Sequence, residues 1–158
     1  KNYVPASAES VVKYGSVGGI SVRVPVGALI TSPPYMNALD YRRDNRLRLW
    51  FLDRKTKNYF PEPTDRRDGL ARMTQDLAKL AVSVVKPSGY VVLVVGEVVR
   101  RKRQTSHPSE YFLDALRSVG GFDLKRAIRD EIPDIRRARR DGRATKTEHV
   151  LVFQRRAD

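Results

Sequence analysis

Two segments of the chain carry apolar residues at the three- and four-residue spacing of a helix face. The first segment is Leu70–Ala81, and it ends before Pro87-Ser88-Gly89. The second helix is predicted to begin at Pro108 and to stop at Gly120-Gly121, because proline suits the first turn of a helix and glycine suits its end. A further helix or lid is expected over Ala38–Phe51, where apolar residues are mixed with arginines.

Short runs of β-branched and aromatic residues predict the strands. The apolar run Gly27–Ile30 is predicted to be a buried strand, and Tyr90–Val99 is predicted to be a central one. Apolar and charged residues alternate over Phe122–Ile132, which is typical of a half-exposed strand. The last predicted strand is Glu148–Gln154.

The N-terminal region and the loops are less regular. Val11–Tyr14 and Ile20–Val24 resemble short strands, and Gly15–Gly19 between them is predicted to be a turn. Its glycines match neither a phosphate-binding loop nor a dinucleotide fingerprint. Residues 55–69 and the basic stretch Arg136–Arg143 are predicted to be loops.

The order of these elements predicts the fold class. Strands that alternate with helices favour an α/β fold with a mostly parallel sheet. The last two strands are joined by a loop without a helix, so we expect that pair to be antiparallel. A chain of 158 residues is long enough to bury one core. We therefore expect a single domain over residues 1–158, with a lid or insert at residues 36–69.

Composition narrows the class of protein. An apolar fraction of 41% argues against a disordered chain. Because the sequence has no cysteine, it excludes disulfides, thiolate metal sites and cysteine nucleophiles. His107 and His149 are too few and too isolated to predict a metal site, and we expect both to be structural or solvated. No apolar stretch is long enough to span a bilayer and the first residues lack a signal-peptide pattern, so a cytoplasmic protein is expected.

The charge of the chain points to a polyanionic partner. Thirty-one basic and eighteen acidic residues give a formal net charge of +13, an excess that favours nucleic acid. The basic residues cluster in three places, around Arg42–Arg48, at Arg100–Arg103 and at Arg136–Arg143. Solvated surfaces also carry such runs, and this alternative stays open. Binding to a membrane surface is less favoured, because the basic runs have no large apolar face beside them.

The stretch Thr31-Ser32-Pro33-Pro34-Tyr35 directly follows the predicted strand Gly27–Ile30. Ligands of open α/β folds bind at the carboxyl ends of strands. Two prolines fix φ and have no N–H, so the turn is stiff and its carbonyls can accept hydrogen bonds. Acceptors beside an aromatic ring suit a planar group with an amino substituent, such as a nucleobase. The alternative is a rigid turn with Tyr35 packed as its cap.

Thr-Ser-Pro-Pro-Tyr resembles motif IV of the S-adenosylmethionine-dependent amino-methyltransferases, which methylate the exocyclic amines of cytosine or adenine in DNA. The serine form is more typical of the cytosine-N4 enzymes. Similar residues stand at corresponding places in Lys86–Gly89, Gly120–Phe122 and Glu148–Phe153, so the resemblance extends from about Gly15 to Phe153. It implies a Rossmann-like methyltransferase sheet that ends in an antiparallel strand pair.

The resemblance also implies roles for individual residues. The Ser32 hydroxyl and the Pro33 carbonyl would accept hydrogen bonds from the amine, with Pro34 completing the rigid turn. Tyr35 would stack on a base flipped out of the duplex. Thr31 would lie beside the cofactor, S-adenosylmethionine. The remaining candidates would contact nucleic acid, and they are Asn37, Arg42, Arg43, Arg46, Arg100, Arg101, Lys102 and Arg103.

The cofactor-binding signature of that family does not occur in the sequence. Its members carry a glycine-rich loop, Phe-x-Gly-x-Gly, after the first strand and an acidic residue at the end of the second. Three explanations are open: a fragment without its cofactor half, a second polypeptide that supplies that half, or a degenerate remnant. We expect the C-terminal catalytic half of a methyltransferase fold, incomplete at its N-terminal (cofactor) side.

Three functions follow from these observations. The first is methyl transfer to the exocyclic amine of a DNA base, with cytosine N4 favoured over adenine N6 and an RNA base as a variant. The second is a non-catalytic, basic nucleic-acid-binding module. The third, a peptide ligand through Pro-Pro-Tyr, ranks low because the motif follows an apolar strand.

Overall fold

The computed structural model describes residues 11–34 apart from 14, residues 47, 50 and 51, and the ranges 66–96, 107–132 and 147–157. Four strands and two long helices account for most of this part of the chain. They are β1 (Val26–Thr31), α1 (Arg66–Val84), β2 (Val85–Gly96), α2 (Pro108–Val119), β3 (Phe122–Glu131) and β4 (Thr147–Arg155). A short 3-10 turn at Val17–Gly19 precedes them. The predicted α/β class is confirmed.

The four strands form one mixed sheet in the order β1-β2-β4-β3. β1 and β2 are parallel, while β4 is antiparallel to both β2 and β3. The expected antiparallel pair at the end of the chain is confirmed. The expectation of a mostly parallel sheet is correct in that β1, β2 and β3 run in the same direction. It is wrong for the pairing of neighbouring strands. Because β4 enters between β2 and β3, two of the three pairings in the described sheet are antiparallel.

The core lies between the two helices and one face of the sheet. From Val91 to Val95 the residues of β2 alternate between buried and half-buried positions, as the two-residue period of a strand requires. The buried positions face the helical layer together with residues of β4. The main members of this core are Leu77, Ala81, Val91, Leu93, Val95, Phe112, Leu116, Leu151 and Phe153. β2 is therefore the central strand that its sequence predicts.

β1 is a strand, as predicted, but it is not buried. It lies at the edge of the described sheet, and Ile30 is 70% exposed. Leu29 and Thr31 are half-buried, because they share a face with the buried strand positions Val91 and Leu93. The apolar run does predict the strand, but it does not show which of its faces a helix covers.

The limits of α1 differ from those that its apolar spacing predicts. The helix begins at Arg66, so the prediction of a loop is wrong for residues 66–69. Charged residues in a first helical turn leave no trace in an apolar pattern. At the other end the helix stops at Val84, before Pro87 as predicted. β2 begins at once at Val85, earlier than the predicted Tyr90.

The two short strands predicted near the N-terminus are absent from the described residues 11–13 and 20–24, which join no strand. Val12 is 97% exposed. β-branched residues favour a strand only where a neighbouring strand pairs with them. The glycine-rich turn is present in part, since Gly19 N–H donates to Ser16 O at 2.9 Å.

The end of α2 and the exposure of β3 agree with the sequence. Gly120 and Gly121 have φ angles of +71° and +75°, which favour glycine, and Gly120 N–H donates to Arg117 O at 3.1 Å. Of the residues in β3 only Phe122 is buried, because this strand lies at the other edge of the sheet.

Several predictions fall outside the described residues. They concern most of the lid region 36–69, residues 97–99 of the predicted central strand, and the basic loop Arg136–Arg143. Leu47, Trp50 and Phe51 are helical, in agreement with the helix expected over Ala38–Phe51. None of the helices in the described part of the chain is long and apolar enough to cross a membrane.

Candidate functional site

One end of the sheet, which we call the carboxyl edge, contains the carboxyl ends of β1 and β2 and the first residues of β4. β1 ends at Thr31 and the parallel strand β2 ends at Gly96, so both carboxyl ends point the same way. β4 runs in the opposite direction and brings its first residues there, with Glu148 opposite Gly96. Residues 32–34 continue from β1 at this carboxyl edge.

Ser32 joins the end of β1 to β2 through its side chain. Its hydroxyl donates to the main-chain oxygen of Val94 at 3.3 Å, and the residue is exposed. A hydroxyl has one hydrogen and two lone pairs. With that hydrogen directed at Val94, the lone pairs of the Ser32 oxygen are the acceptors of this side chain.

The two prolines differ in burial. Pro33 is buried and Pro34 is exposed. A buried proline ring with a fixed φ restricts the direction in which the chain leaves β1. Neither residue has an N–H, so the polar main-chain groups that these two residues contribute are carbonyl acceptors. The turn is therefore held by Pro33 on the inside and by the Ser32–Val94 hydrogen bond.

Thr31 lies directly before this turn, at the end of β1. It is half-buried and stands opposite Leu93 of β2. Leu93 is fully buried beneath the helices. Thr31 therefore shares the face of the sheet that the helices cover.

Most of the other predicted site residues lie outside the described residues. They are Tyr35, Asn37, Arg42, Arg43, Arg46, Arg100, Arg101, Lys102 and Arg103. The structure places only Thr31–Pro34 of the predicted site, and those four residues lie together at the carboxyl edge.

The two histidines are not isolated from each other, which corrects the expectation from sequence. The rings of His107 and His149 stack with centroids 3.9 Å apart and planes inclined by 19°. Ser109 lies beside both rings, with its Oγ 2.5 Å from His107 Nδ1 and 3.3 Å from His149 Nδ1. Ser109 is buried.

Topology brings this pair together. His107 is the N-cap of α2, which begins at the carboxyl edge, and His149 is near the start of β4 at the same edge. Forty-two positions separate them along the chain, so no local motif indicates the contact. Two features of the sequence could have indicated where each ring lies. His107 directly precedes the predicted helix start at Pro108, and His149 belongs to the last predicted strand.

Two solved structures share this fold. Both are of a protein from Thermus thermophilus assigned as a DNA modification methylase. The selenomethionine derivative aligns with a TM-score of 0.54 and 16% identity, over 91% of this chain and 51% of that one. The complex with S-adenosyl-L-methionine aligns with a TM-score of 0.53 and 18% identity, over 91% and 54%. No family model and no curated protein sequence matches the chain.

The alignment spans nearly all of this chain but only about half the length of these structures. At such low identity the likeness establishes a common fold. The α/β class and the antiparallel strand pair at the end of the chain agree with what the resemblance of the Thr-Ser-Pro-Pro-Tyr stretch implies.

Proposed function

We propose that this chain carries the target-base side of an S-adenosylmethionine-dependent DNA amino-methyltransferase, with cytosine N4 as the favoured target and adenine N6 as the alternative. The observation that carries the proposal is Ser32, exposed at the carboxyl end of β1 with its hydrogen directed at Val94 O. The common fold with a T. thermophilus DNA modification methylase supports it, since that protein was solved with S-adenosyl-L-methionine.

The chemistry of the reaction explains why such a turn is needed. The exocyclic amine of a nucleobase is a poor nucleophile, because its lone pair is delocalised into the ring. As the nitrogen attacks a methyl group it becomes tetrahedral and acquires positive charge. Acceptors aimed at its hydrogens stabilise that charge in the transition state, which is electrostatic catalysis.

Ser32 and Pro33 supply these acceptors in the proposal. The Ser32 oxygen is held as an acceptor by its hydrogen bond to Val94. The Pro33 carbonyl would be the second, and burial of the Pro33 ring keeps it in place. Neither group needs to remove a proton before methyl transfer, so the site works without a general base at that stage.

The other roles rest on the resemblance. Tyr35 would stack on the flipped base, a contact worth about 1–3 kcal/mol per base. Asn37 and the arginines Arg42, Arg43 and Arg46 would lie beside the pocket, and the cluster Arg100–Arg103 would bind phosphates, which fix the position of the duplex without reading its sequence.

The cofactor would supply an electrophilic methyl group on a sulfonium. Among the described residues, the end of β1 and the turn 31–34 provide the hydroxyls of Thr31 and Ser32 and no carboxylate for a ribose. These residues alone do not form a site for S-adenosylmethionine. We expect its binding loop to come from residues beyond them or from a second polypeptide.

A methyl-transfer assay with matched serine variants tests the proposal. The chain is incubated with labelled S-adenosylmethionine and duplex DNA, together with the polypeptide that supplies the cofactor loop where the chain alone does not bind the cofactor. The digested nucleosides are identified by mass spectrometry. We expect N4-methylcytosine, and we expect Ser32→Ala to lower turnover by about 10²–10³-fold, the usual effect of losing one stabilising group. Most of the affinity for duplex DNA is expected to remain in Ser32→Ala.

The matched control is Ser83→Ala. Ser83 is also exposed, and its hydroxyl donates to Leu80 O at 2.8 Å within α1. This variant is expected to methylate DNA at the same rate as the unmodified chain. A folded chain that binds both DNA and cofactor but methylates no base would refute the proposal.

A basic binding module without catalysis is the second candidate, and the net charge of +13 favours it. Such a module would respond strongly to salt and to neutralisation of Arg100–Arg103, and hardly at all to Ser32→Ala.

A further inference from the structure

We propose that His107, Ser109 and His149 form a proton-sensitive latch, which joins the start of α2 to the start of β4. The latch is closed while the His107 ring is neutral, and it opens when that ring takes up a proton at Nδ1. The inference rests on the hydrogen bonds within this cluster and does not depend on methyl transfer.

The hydrogen bonds of the latch run in one direction. The main-chain N–H of Ser109 donates to His107 Nδ1 at 3.1 Å, so this nitrogen carries a lone pair. The Ser109 hydroxyl, 2.5 Å from the same nitrogen, must then also donate to it. Its single hydrogen is used there, so His149 Nδ1 has to donate to Ser109 Oγ across 3.3 Å. His107 is therefore the Nε2–H tautomer, and His149 has a hydrogen on Nδ1.

The two rings consequently differ in their response to a proton. A proton on the other ring nitrogen of His149 would leave its hydrogen bond in place, because Nδ1 already donates. His107 differs, because a hydrogen on its Nδ1 removes the acceptor that caps the first turn of α2 and forces the Ser109 hydroxyl to turn. Two positive rings with centroids 3.9 Å apart would also repel each other. A positive charge on both rings at once is therefore disfavoured.

Charged groups of both signs lie near the latch. Arg129 of β3 stands directly opposite His149 in the sheet. Glu148 of β4 is adjacent to His149 in the chain, and Glu110 lies in the first turn of α2.

The other two elements contribute less charge. β2 presents the apolar Val95 opposite His149, and Arg72 of α1 is exposed and is the first charged side chain of that helix that the structure describes. None of these groups can restore the acceptor that His107 Nδ1 loses on protonation.

The position of the latch gives it a consequence. His107 follows the basic cluster Arg100–Arg103 by four residues, and Thr147 follows the stretch Arg136–Arg143 by four. The latch therefore joins the first described residues that follow these two basic segments. An effect of pH on nucleic-acid binding through these segments rests on the proposed function, whereas the latch itself does not.

Nitrogen-resolved NMR of the isolated chain tests the latch without DNA or cofactor. Spectra of ¹⁵N-labelled protein between pH 8 and pH 5 identify the tautomer and the charge of each ring. We expect His107 as the Nε2–H tautomer and still mainly neutral near pH 6.5, where an unperturbed histidine is about half protonated. A hydrogen on His107 Nδ1 at that pH would overturn the proposal.

Hydrogen exchange follows the opening itself. His107 binds a proton more readily in the open state than in the closed state, so acid favours opening. The latch is therefore fully closed above about pH 6.5, and closure is lost as the pH falls below that value. Protection factors of amides in the first turns of α2 are expected to fall by up to about tenfold per pH unit below that value. Protection independent of pH would contradict the latch.

Two variants separate the latch from a general effect of acid. His107→Asn keeps a capping acceptor that does not titrate, so protection at the start of α2 is expected to lose its pH dependence. Ser118→Ala is the control, because Ser118 Oγ donates to Ala115 O at 2.8 Å in the same helix but touches neither ring. The same acid-induced loss in His107→Asn as in the unmodified chain would refute the role of His107. If His107→Asn does not fold, the ring tautomers of the unmodified chain decide alone.

Discussion

Gly89 of β2 has no room for a side chain, next to the register shift in its pairing with β1. A Cβ atom on this residue would lie 2.8 Å from Gly27 O, from Lys86 O and from Val85 Cγ1. Two of these three atoms belong to the main chain, which cannot move aside as a flexible side chain can. The glycine is therefore required by space rather than by its φ angle.

We expect Gly89→Ala to lower the free energy of unfolding by about 1–3 kcal/mol, as overpacking usually does. Urea denaturation followed by circular dichroism measures it. Gly15→Ala is the control, because its Cβ would meet only Ile20 Cγ1 at 3.8 Å, an ordinary contact. Equal stability of the two variants would show that the strands can separate at Gly89 at little cost.

Ser32 illustrates what a residue reveals before its fold is known. Its place after an apolar run predicts a position at the end of a strand, and the structure has it there. The hydrogen bond to Val94 could not be predicted, because it requires the pairing of β1 with a strand 62 positions away. The roles of Tyr35 and of the arginines stay predictions.

At the scale of elements, Arg155 links the last strand to the first long helix. Its Nη1 donates to Val82 O at 2.7 Å and to Val85 O at 2.5 Å. Val82 lies in the last turn of α1, where main-chain oxygens have no partner within the helix. The guanidinium thus satisfies the end of α1 from the end of β4.

We expect Arg155→Met to destabilise the chain by about 1.5–3 kcal/mol, the range for hydrogen bonds from a charged group. Methionine keeps much of the aliphatic stem and removes the donors. The neighbouring Arg156 provides the comparison, since it forms an exposed ion pair with Asp123 at 2.9 Å. Arg156→Met is expected to cost about 0–1 kcal/mol by thermal or urea unfolding. Equal losses in both variants would mean that Arg155 does not hold α1.

The helices and strands could be predicted from sequence where apolar spacing was long and regular. α2 begins and ends where Pro108 and Gly120 predict, because both residues restrict the main chain locally. The strands predicted around Val11 and Val22 are wrong, because strand formation depends on a partner that the local sequence does not reveal. The prediction that β1 is a buried strand was wrong for a related reason, because the helical layer covers only one face of that strand.

At the scale of the whole molecule, a net charge of +13 is the dominant property. We expect the affinity for duplex DNA to fall steeply with salt, with a slope of about −0.9 per phosphate contact in a logarithmic plot. Replacing Arg100, Arg101, Lys102 and Arg103 by glutamine is expected to reduce that slope by up to about 3–4.

Basic residues on the helical layer serve as the comparison. Arg72, Lys79 and Arg117 are exposed on α1 and α2. Their replacement by glutamine is expected to change the slope little, because they project from the helices and not from the predicted DNA-binding segments. A similar change in both sets, measured by fluorescence anisotropy, would indicate binding by overall charge.

Binding to an unpaired base tests the central claim most directly, since it needs no cofactor. Two duplexes are compared that differ only in one unpaired base, cytosine or uracil, so that the exocyclic amine is replaced by a carbonyl oxygen. We expect the unpaired cytosine to be bound about tenfold more tightly, because Ser32 and Pro33 offer acceptors to the amine. Ser32→Ala is expected to remove most of that difference and Ser83→Ala none of it. Equal affinity of the folded chain for the two duplexes would contradict the account.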